Sequence, residues 1–133
     1  MPFDFKVCPV EVSMEIIGRK WSLNIIRDLF LGRTRFSEFL EVNPRLSSKV
    51  LSTRLKELQD CGIIEKRVVE KTPLLIEYGL TEKGRALGDV LYHLAAYSMN
   101  NYTDRVYEGN SQHLQRDLDG LRQVFKTTKQ RVA

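Results

Sequence analysis

The stretch RLSSKVLSTRLKELQDCGIIEKRVVEKTPLLIEYGLTEKG, residues 45–84, changes its period partway along. In its first part Leu51, Leu55 and Leu58 recur at i, i+4 and i+7, the spacing of a helix with one apolar face. Ser47 is a good N-cap and Gly62 a good terminator, which predicts a helix beginning after Ser47 and ending at Gly62. At about 100° per residue, Lys49, Ser52, Thr53 and Lys56 fall opposite the leucines. That face carries short hydroxyls and two lysines, with no bulky apolar group, over about 20 Å at roughly 1.5 Å per residue. Beyond Gly62 the period is that of a strand. Residues 64–71 and 75–80 are rich in Val, Ile and Tyr, and Lys71-Thr72-Pro73 reads as the turn between them. A polar-faced helix is thus joined to a two-stranded ribbon.

Working outward, three helices are predicted upstream. The first covers residues 10–17, with Pro9 at its first position and Gly18 at its end. The second covers 21–31, with Leu23, Ile26, Leu29 and Phe30 at helical intervals and Gly32 as its stop. The third covers 36–42, with Phe36, Phe39 and Leu40 on one side, and Asn43-Pro44 breaks it. Downstream, Thr81 is expected to cap a long helix reaching about Tyr107, with Leu87, Val90, Leu91, Leu94 and Tyr97 as its apolar stripe. Gly109-Asn110 ends it. Ser111 then caps a last helix with Leu114, Leu118, Leu121 and Phe125 aligned, and the tail after Thr127 is expected to fray. Helix, short helix, turn and polar-faced helix make a helix-turn-helix arrangement, and the hairpin makes it a winged one. The expected fold class is α+β, mostly α: a winged helix-turn-helix with a two-stranded β-hairpin wing and C-terminal dimerisation helices. One domain is expected over residues 1–133. Its DNA-binding core covers about 8–85, and its dimerisation helices come from the N-terminal segment and about 86–127.

The bulk properties agree with a globular chain. It has 133 residues, 42% hydrophobic and 29% charged, enough for a real core. No apolar run approaches the roughly 20 residues of a membrane span. The opening MPFDFKVCPV has no signal-peptide pattern. Two cysteines, Cys8 and Cys61, make no disulfide framework, and the expected location is the cytoplasm. The net charge of +4 is modest, but its distribution is uneven. Residues 42–56 contain no acid, while Arg45, Lys49, Arg54 and Lys56 are basic and Arg33 and Arg35 stand just upstream. Such clustering points to a polyanion, usually nucleic acid; a solvated helix face is the other reading.

A helix fits the major groove of B-DNA, where base edges present donors and acceptors. Small hydroxyls and long cations suit that role, and a basic ribbon tip reaches an adjacent minor groove or its phosphates. The expected DNA-binding set is Arg35, Ser47, Ser48, Lys49, Ser52, Thr53, Lys56, Arg67 and Lys71, on double-stranded DNA. Arg54 lies nearer the apolar side and is expected to pair with an acid within the fold. Trp21 and Phe36 are expected in the core. Cys8, directly before Pro9, sits at a helix N-terminus, a position that raises thiol reactivity; the other reading is a buried, inert thiol. Cys61 is expected to be a small core residue. His93 and His113 are isolated, so neither a metal nor a cofactor is expected. No Gly-rich phosphate loop, nucleophile elbow or assignable acid pair suggests an enzyme. The late apolar stripes exceed what one small domain needs, so a two-fold homodimer is expected through Leu91, Leu94, Leu114, Leu118, Leu121 and Phe125. It would set two reading helices about 34 Å apart on an inverted repeat.

The order of these features resembles the HxlR-type family of winged-helix transcriptional regulators, close in fold to MarR proteins. The marks are Cys8-Pro9, Gly18-Arg19-Lys20-Trp21, Gly32 followed by Arg35-Phe36-Ser37-Glu38-Phe39, Leu51-x3-Leu55-x2-Leu58-x3-Gly62, and Pro73-x4-Tyr78-x-Leu80-Thr81-x2-Gly84. Together they cover residues 8 to about 97. The resemblance implies a cytoplasmic homodimer that binds operator DNA as repressor or activator, with a cysteine at the position of Cys8 sensing oxidants or electrophiles in some members. Tyr97 stands where the shared pattern has a Trp, and the chain beyond Asn100 is longer than in many members. Two other functions stay open: a winged-helix protein–protein interaction module, and a ligand-gated regulator without cysteine sensing.

Overall fold

The computed structural model describes residues 2–109 and 112–126. In chain order the elements are α1 (Pro9–Ile17), α2 (Ser22–Phe30), α3 (Phe36–Val42), α4 (Ser48–Asp60), β1 (Ile64–Lys71), β2 (Leu74–Leu80), α5 (Glu82–Arg85), α6 (Gly88–Asn101), α7 (Thr103–Val106) and α8 (Leu114–Phe125). Helices α2, α3 and α4 close on a core in which Ile25, Ile26, Phe39 and Leu51 have no exposed surface. Leu55, Leu58, Ile63 and Ile64 complete it, so the apolar stripe of α4 is fully used. Asp28 is buried beneath the α3–α4 turn. Its carboxylate accepts from Asn43 Nδ2 at 2.8 Å and from Arg27 Nη2 at 2.9 Å, and Asn43 Nδ2 also donates to the Phe39 carbonyl at 2.9 Å. A buried charge needs such partners, and here they tie α2 to the end of α3 and fix where α4 begins.

Both ends of α4 follow from its sequence. Ser47 Oγ accepts from the Val50 amide at 3.1 Å, satisfying an N-terminal donor. At the other end Gly62 adopts φ 75. Its amide donates to the Gln59 carbonyl, and the Ile63 amide donates to the Leu58 carbonyl, each at 2.9 Å. This is the Schellman arrangement, and it needs the left-handed residue that glycine supplies. The chain turns directly into β1, which pairs antiparallel with β2 from Ile64↔Leu80 to Lys71↔Leu74, with an irregularity between Val68 and Glu70. The base of the hairpin is buried at Ile64 and Tyr78, whereas Val68 and Leu74 near its end are exposed. The Tyr78 amide also donates to the Thr34 carbonyl at 2.8 Å, fastening the hairpin to the α2–α3 loop.

The long helix expected from Thr81 to about Tyr107 is instead three helices. Thr81 does cap the first, its Oγ1 accepting from the Gly84 amide at 3.1 Å, but α5 lasts one turn. The break falls at Ala86 and Leu87, directly before Gly88. A Cβ on Gly88 would collide with the Phe125 carbonyl oxygen, so the start of α6 is where α8 passes closest. At the far end, Asn100 and Asn101 turn their amides back onto the Ala96 and Tyr97 carbonyls at 2.9 Å, competing with the helix ladder. Tyr102 then leaves helical geometry at φ −131. The expected caps and frayed tail at Ser111 and after Thr127 lie outside the described residues; α8 begins at Leu114.

Helix α8 packs along α6. Phe125 meets Phe30 edge-on at 5.3 Å between centroids, and the Arg122 guanidinium lies 4.3 Å above the Tyr92 ring while donating to its hydroxyl at 3.0 Å. Most of the expected dimer set is covered within this chain. Leu91, Leu118 and Phe125 are buried within this chain. Leu114 and Leu121 are half-buried against the same core. Only Leu94 of the six is exposed, at 48%. The stripe on α8 finds its partner in α6.

Candidate nucleic-acid interface

The outer face of α4 presents Ser48, Lys49, Ser52, Thr53 and Lys56, all exposed. Thr53 Oγ1 donates to the Lys49 carbonyl at 3.0 Å, which commits its proton and leaves an acceptor facing outward. Lys56 Nζ lies 3.8 Å from Asp60 Oδ2 in an exposed pair that holds it weakly. Ser47 Oγ accepts the capping bond from the Val50 amide, and its exposed hydroxyl keeps its proton for an outside acceptor. Arg45 is exposed in the turn just before α4; it was visible as charge in the sequence but stood outside the expected set.

The other cations gather at the wing. Arg35 is at the N-cap of α3, with Nε 3.8 Å from Glu77 Oε2 on β2. Thr34 Oγ1 donates to the same carboxylate oxygen at 3.2 Å. Arg67 faces Glu77 across the ladder, pairs with Glu65 at 3.7 Å, and lays its guanidinium over Gly79. Arg35 and Arg67 thus flank one acid at the base of the hairpin, and Lys71 is exposed at its end. Chain distance hid this grouping from the sequence.

Glu38 organises the start of α3. Its Oε1 accepts from the Thr34 amide at 3.0 Å and the Arg35 amide at 2.9 Å. Those two bonds, Thr34 first, hold its carboxyl below the ordinary range, and the charges of Arg35 and Arg33 add to the effect. A lowered folded-state value stabilises the fold above the unfolded value, and the contribution disappears as pH falls through the folded one. Glu38 is therefore expected to titrate below the ordinary glutamate range by carboxyl NMR. Glu38→Gln is expected to flatten part of the melting-temperature loss below the usual glutamate range. An ordinary Glu38 titration would contradict this capping role.

Cys8 occupies the N-cap of α1, half-buried, where its carbonyl accepts from the Val12 amide at 3.2 Å. Glu11, Met14 and Glu15 share the shallow depression beside it. Cys61 is exposed at the C-cap of α4, not in the core as expected, because it stands at the helix end about 60° around from Leu58. Helix α1 buries only Ile17. Its Val10 and Met14 stay exposed, as do Val90, Leu94 and Tyr97 on α6. An apolar groove of about 600 Å³ runs between α1, the start of α2 and α6, lined by residues including Val10, Met14, Trp21, Val90 and Leu94. Among the described residues no group of three His, Cys, Asp or Glu is placed to hold a metal ion, and no helix is long and apolar enough to cross a membrane.

Residues 16–106 match the family model of HxlR-like helix-turn-helix proteins. The chain belongs to the HxlR-like family. Its match spans α2 through α7, including the polar-faced α4 and the hairpin. As an HxlR-like protein it is a transcriptional regulator of the helix-turn-helix type, not an enzyme. It is similar to the HTH-type regulator YdeP of Bacillus subtilis, 38% identical over 103 residues, covering 77% of this chain and 80% of YdeP. It is also similar to YodB of Bacillus subtilis, 40% identical over 93 residues, 69% of this chain and 83% of YodB. The reduced form of YodB superposes with a TM-score of 0.63 over 71% of this chain and 94% of that one, at 38% identity. The redox regulator HypR, in its oxidised form, gives 0.66 over 71% and 97%, at 33% identity. These solved relatives agree with the winged helix-turn-helix architecture. The HxlR-like match ends at residue 106, before α8.

Proposed function

We propose that this regulator works in the cytoplasm as a homodimer on an inverted-repeat operator, with α4 of each copy in a major groove and the hairpin against the flanking backbone. The observation that carries this reading is the division of α4. Leu51, Leu55 and Leu58 are buried, while Ser48, Lys49, Ser52, Thr53 and Lys56 face out. A second copy is the natural cover for Val10, Met14, Val90, Leu94 and Tyr97, whose apolar area would otherwise stay in water. Selection from a random-sequence duplex library, with sedimentation of the free protein, tests it. Inverted-repeat sites and a dimer at micromolar concentration are expected. A monomer, or no enriched sequence, would overturn the reading and favour an interaction module.

Cys8 is the proposed sensor. HypR is named a redox regulator, YodB has been solved reduced and after diamide treatment, and Cys8 starts the helix that carries the uncovered apolar face. Diamide is expected to change operator affinity in wild type and to leave Cys8→Ser unchanged. An equal response in Cys8→Ser would move the chemistry to Cys61, and no response in either would remove redox sensing. The groove between α1 and α6 supports a second reading, an apolar effector without cysteine chemistry, marked by a ligand-induced rise in melting temperature in Cys8→Ser.

A further inference from the structure

Arg54 belongs to α4 but not to its outer face. It sits about 60° around the helix from Leu51, and its side chain is 17% exposed. Its Nε donates to the Lys20 carbonyl at 2.8 Å, and its Nη1 lies 3.3 Å from Glu57 Oε1. The other oxygen of Glu57 pairs with Arg19 Nη1 at 3.1 Å. Arg19 and Lys20 form the corner between α1 and α2. Two residues of α4, about one turn apart, therefore grip one corner.

The corner held in this way has an unusual backbone. Trp21 has φ 81, a left-handed conformation that a bulky L-residue keeps only where its surroundings over-determine it. Lys20 precedes the N-cap of α2, so its carbonyl lies outside the helix ladder and is open to a donor from another element. Arg54 provides that donor. The leucines of α4 keep the helix in the core, but apolar contact is non-directional. A charge-assisted bond with fixed geometry is directional.

We propose that Arg54 is a positioning residue for DNA reading: by holding the Lys20 carbonyl and Glu57 together it sets the tilt of α4, and so how Ser52, Thr53 and Lys56 meet the groove. The proposal rests on the DNA-reading role given above. An arginine on a reading helix is otherwise expected to contact phosphate or guanine. A lost phosphate contact predicts the opposite of a lost position. A lost guanine contact would relax preference at one base pair, whereas a changed tilt relaxes it across the positions met by Ser52, Thr53 and Lys56. A phosphate contact survives replacement by lysine. The planar fork that reaches a carbonyl and a carboxylate together does not.

The test measures anisotropy on the selected operator and on random duplex across a salt series for wild type, Arg54→Lys and Arg54→Ala, with melting curves for each. Both variants are expected to fold, to lose about tenfold or more of the operator preference over random DNA, and to keep the wild-type salt slope on random duplex. Wild-type operator affinity in Arg54→Lys would overturn the proposal. So would a salt slope lower by about one in Arg54→Ala, which marks a lost phosphate contact. If neither variant folds, Arg54 serves stability rather than presentation, and the proposal also fails. Absence of operator binding by the wild-type protein would instead defeat the functional reading beneath it.

Discussion

Alanine at both Lys49 and Lys56 is expected to weaken operator binding roughly ten- to a hundredfold and to flatten the salt slope by about two, while the melting temperature stays near that of wild type. Both side chains are exposed on the outer face of α4. The pair of Lys56 with Asp60 spans 3.8 Å in open solvent, so its loss costs little stability. On DNA each ammonium would replace condensed counterions at a phosphate, and the linear dependence of log affinity on log salt counts those replacements. Anisotropy from 50 to 200 mM salt reads affinity and slope together. A double variant that binds and titrates with salt like wild type would remove α4 from the interface. One that unfolds would show that the wrong face has been assigned to solvent.

Leu55→Ala tests the opposite face of the same helix. Leu55 is 2% exposed between Leu51 and Leu58, and truncating a buried leucine costs about 2–5 kcal/mol in lost transfer energy and residual cavity. For a chain of this size the melting temperature should fall by roughly ten degrees or more. Thermal unfolding by circular dichroism checks it. Unchanged melting would contradict the assignment of the leucine stripe to the core. Together the two experiments separate what α4 does for the fold from what it does for recognition, because the lysines and the leucine lie within two turns of each other.

The parts of this architecture legible in the sequence are those fixed by local chemistry. Ser47, the leucine spacing and Gly62 each act within a few residues, so α4 and both its ends could be read from the chain. The hairpin was legible for the same reason, and Arg54 could be placed beside the core by helical geometry alone. What was not legible depends on distant partners. The helix after Thr81 breaks at Ala86 and Leu87, beside Gly88, against which the Phe125 carbonyl packs closely. The stripe on α8 announced a need for cover, but a stripe does not say whether the cover is α6 of the same chain or a second copy. Within the candidate site, the hydroxyls and lysines of α4 could be named from periodicity, whereas the grouping of Arg35 and Arg67 around Glu77 follows from hairpin register and loop docking. The cover of α8 likewise depends on a distant partner, α6 of the same chain. The expected dimerisation helices included the N-terminal segment and residues 86–127, and the uncovered apolar side chains stand on α1 and α6, where α1 buries almost nothing of its own.

The central claim is that α4 occupies the major groove, and guanine methylation interference on the selected operator tests it most directly. Methylation at N7 blocks the major-groove edge without touching the phosphates. The account predicts two patches of interference in the major groove, centred about 34 Å apart, one from each copy of the helix. Binding that persists through major-groove methylation would contradict it.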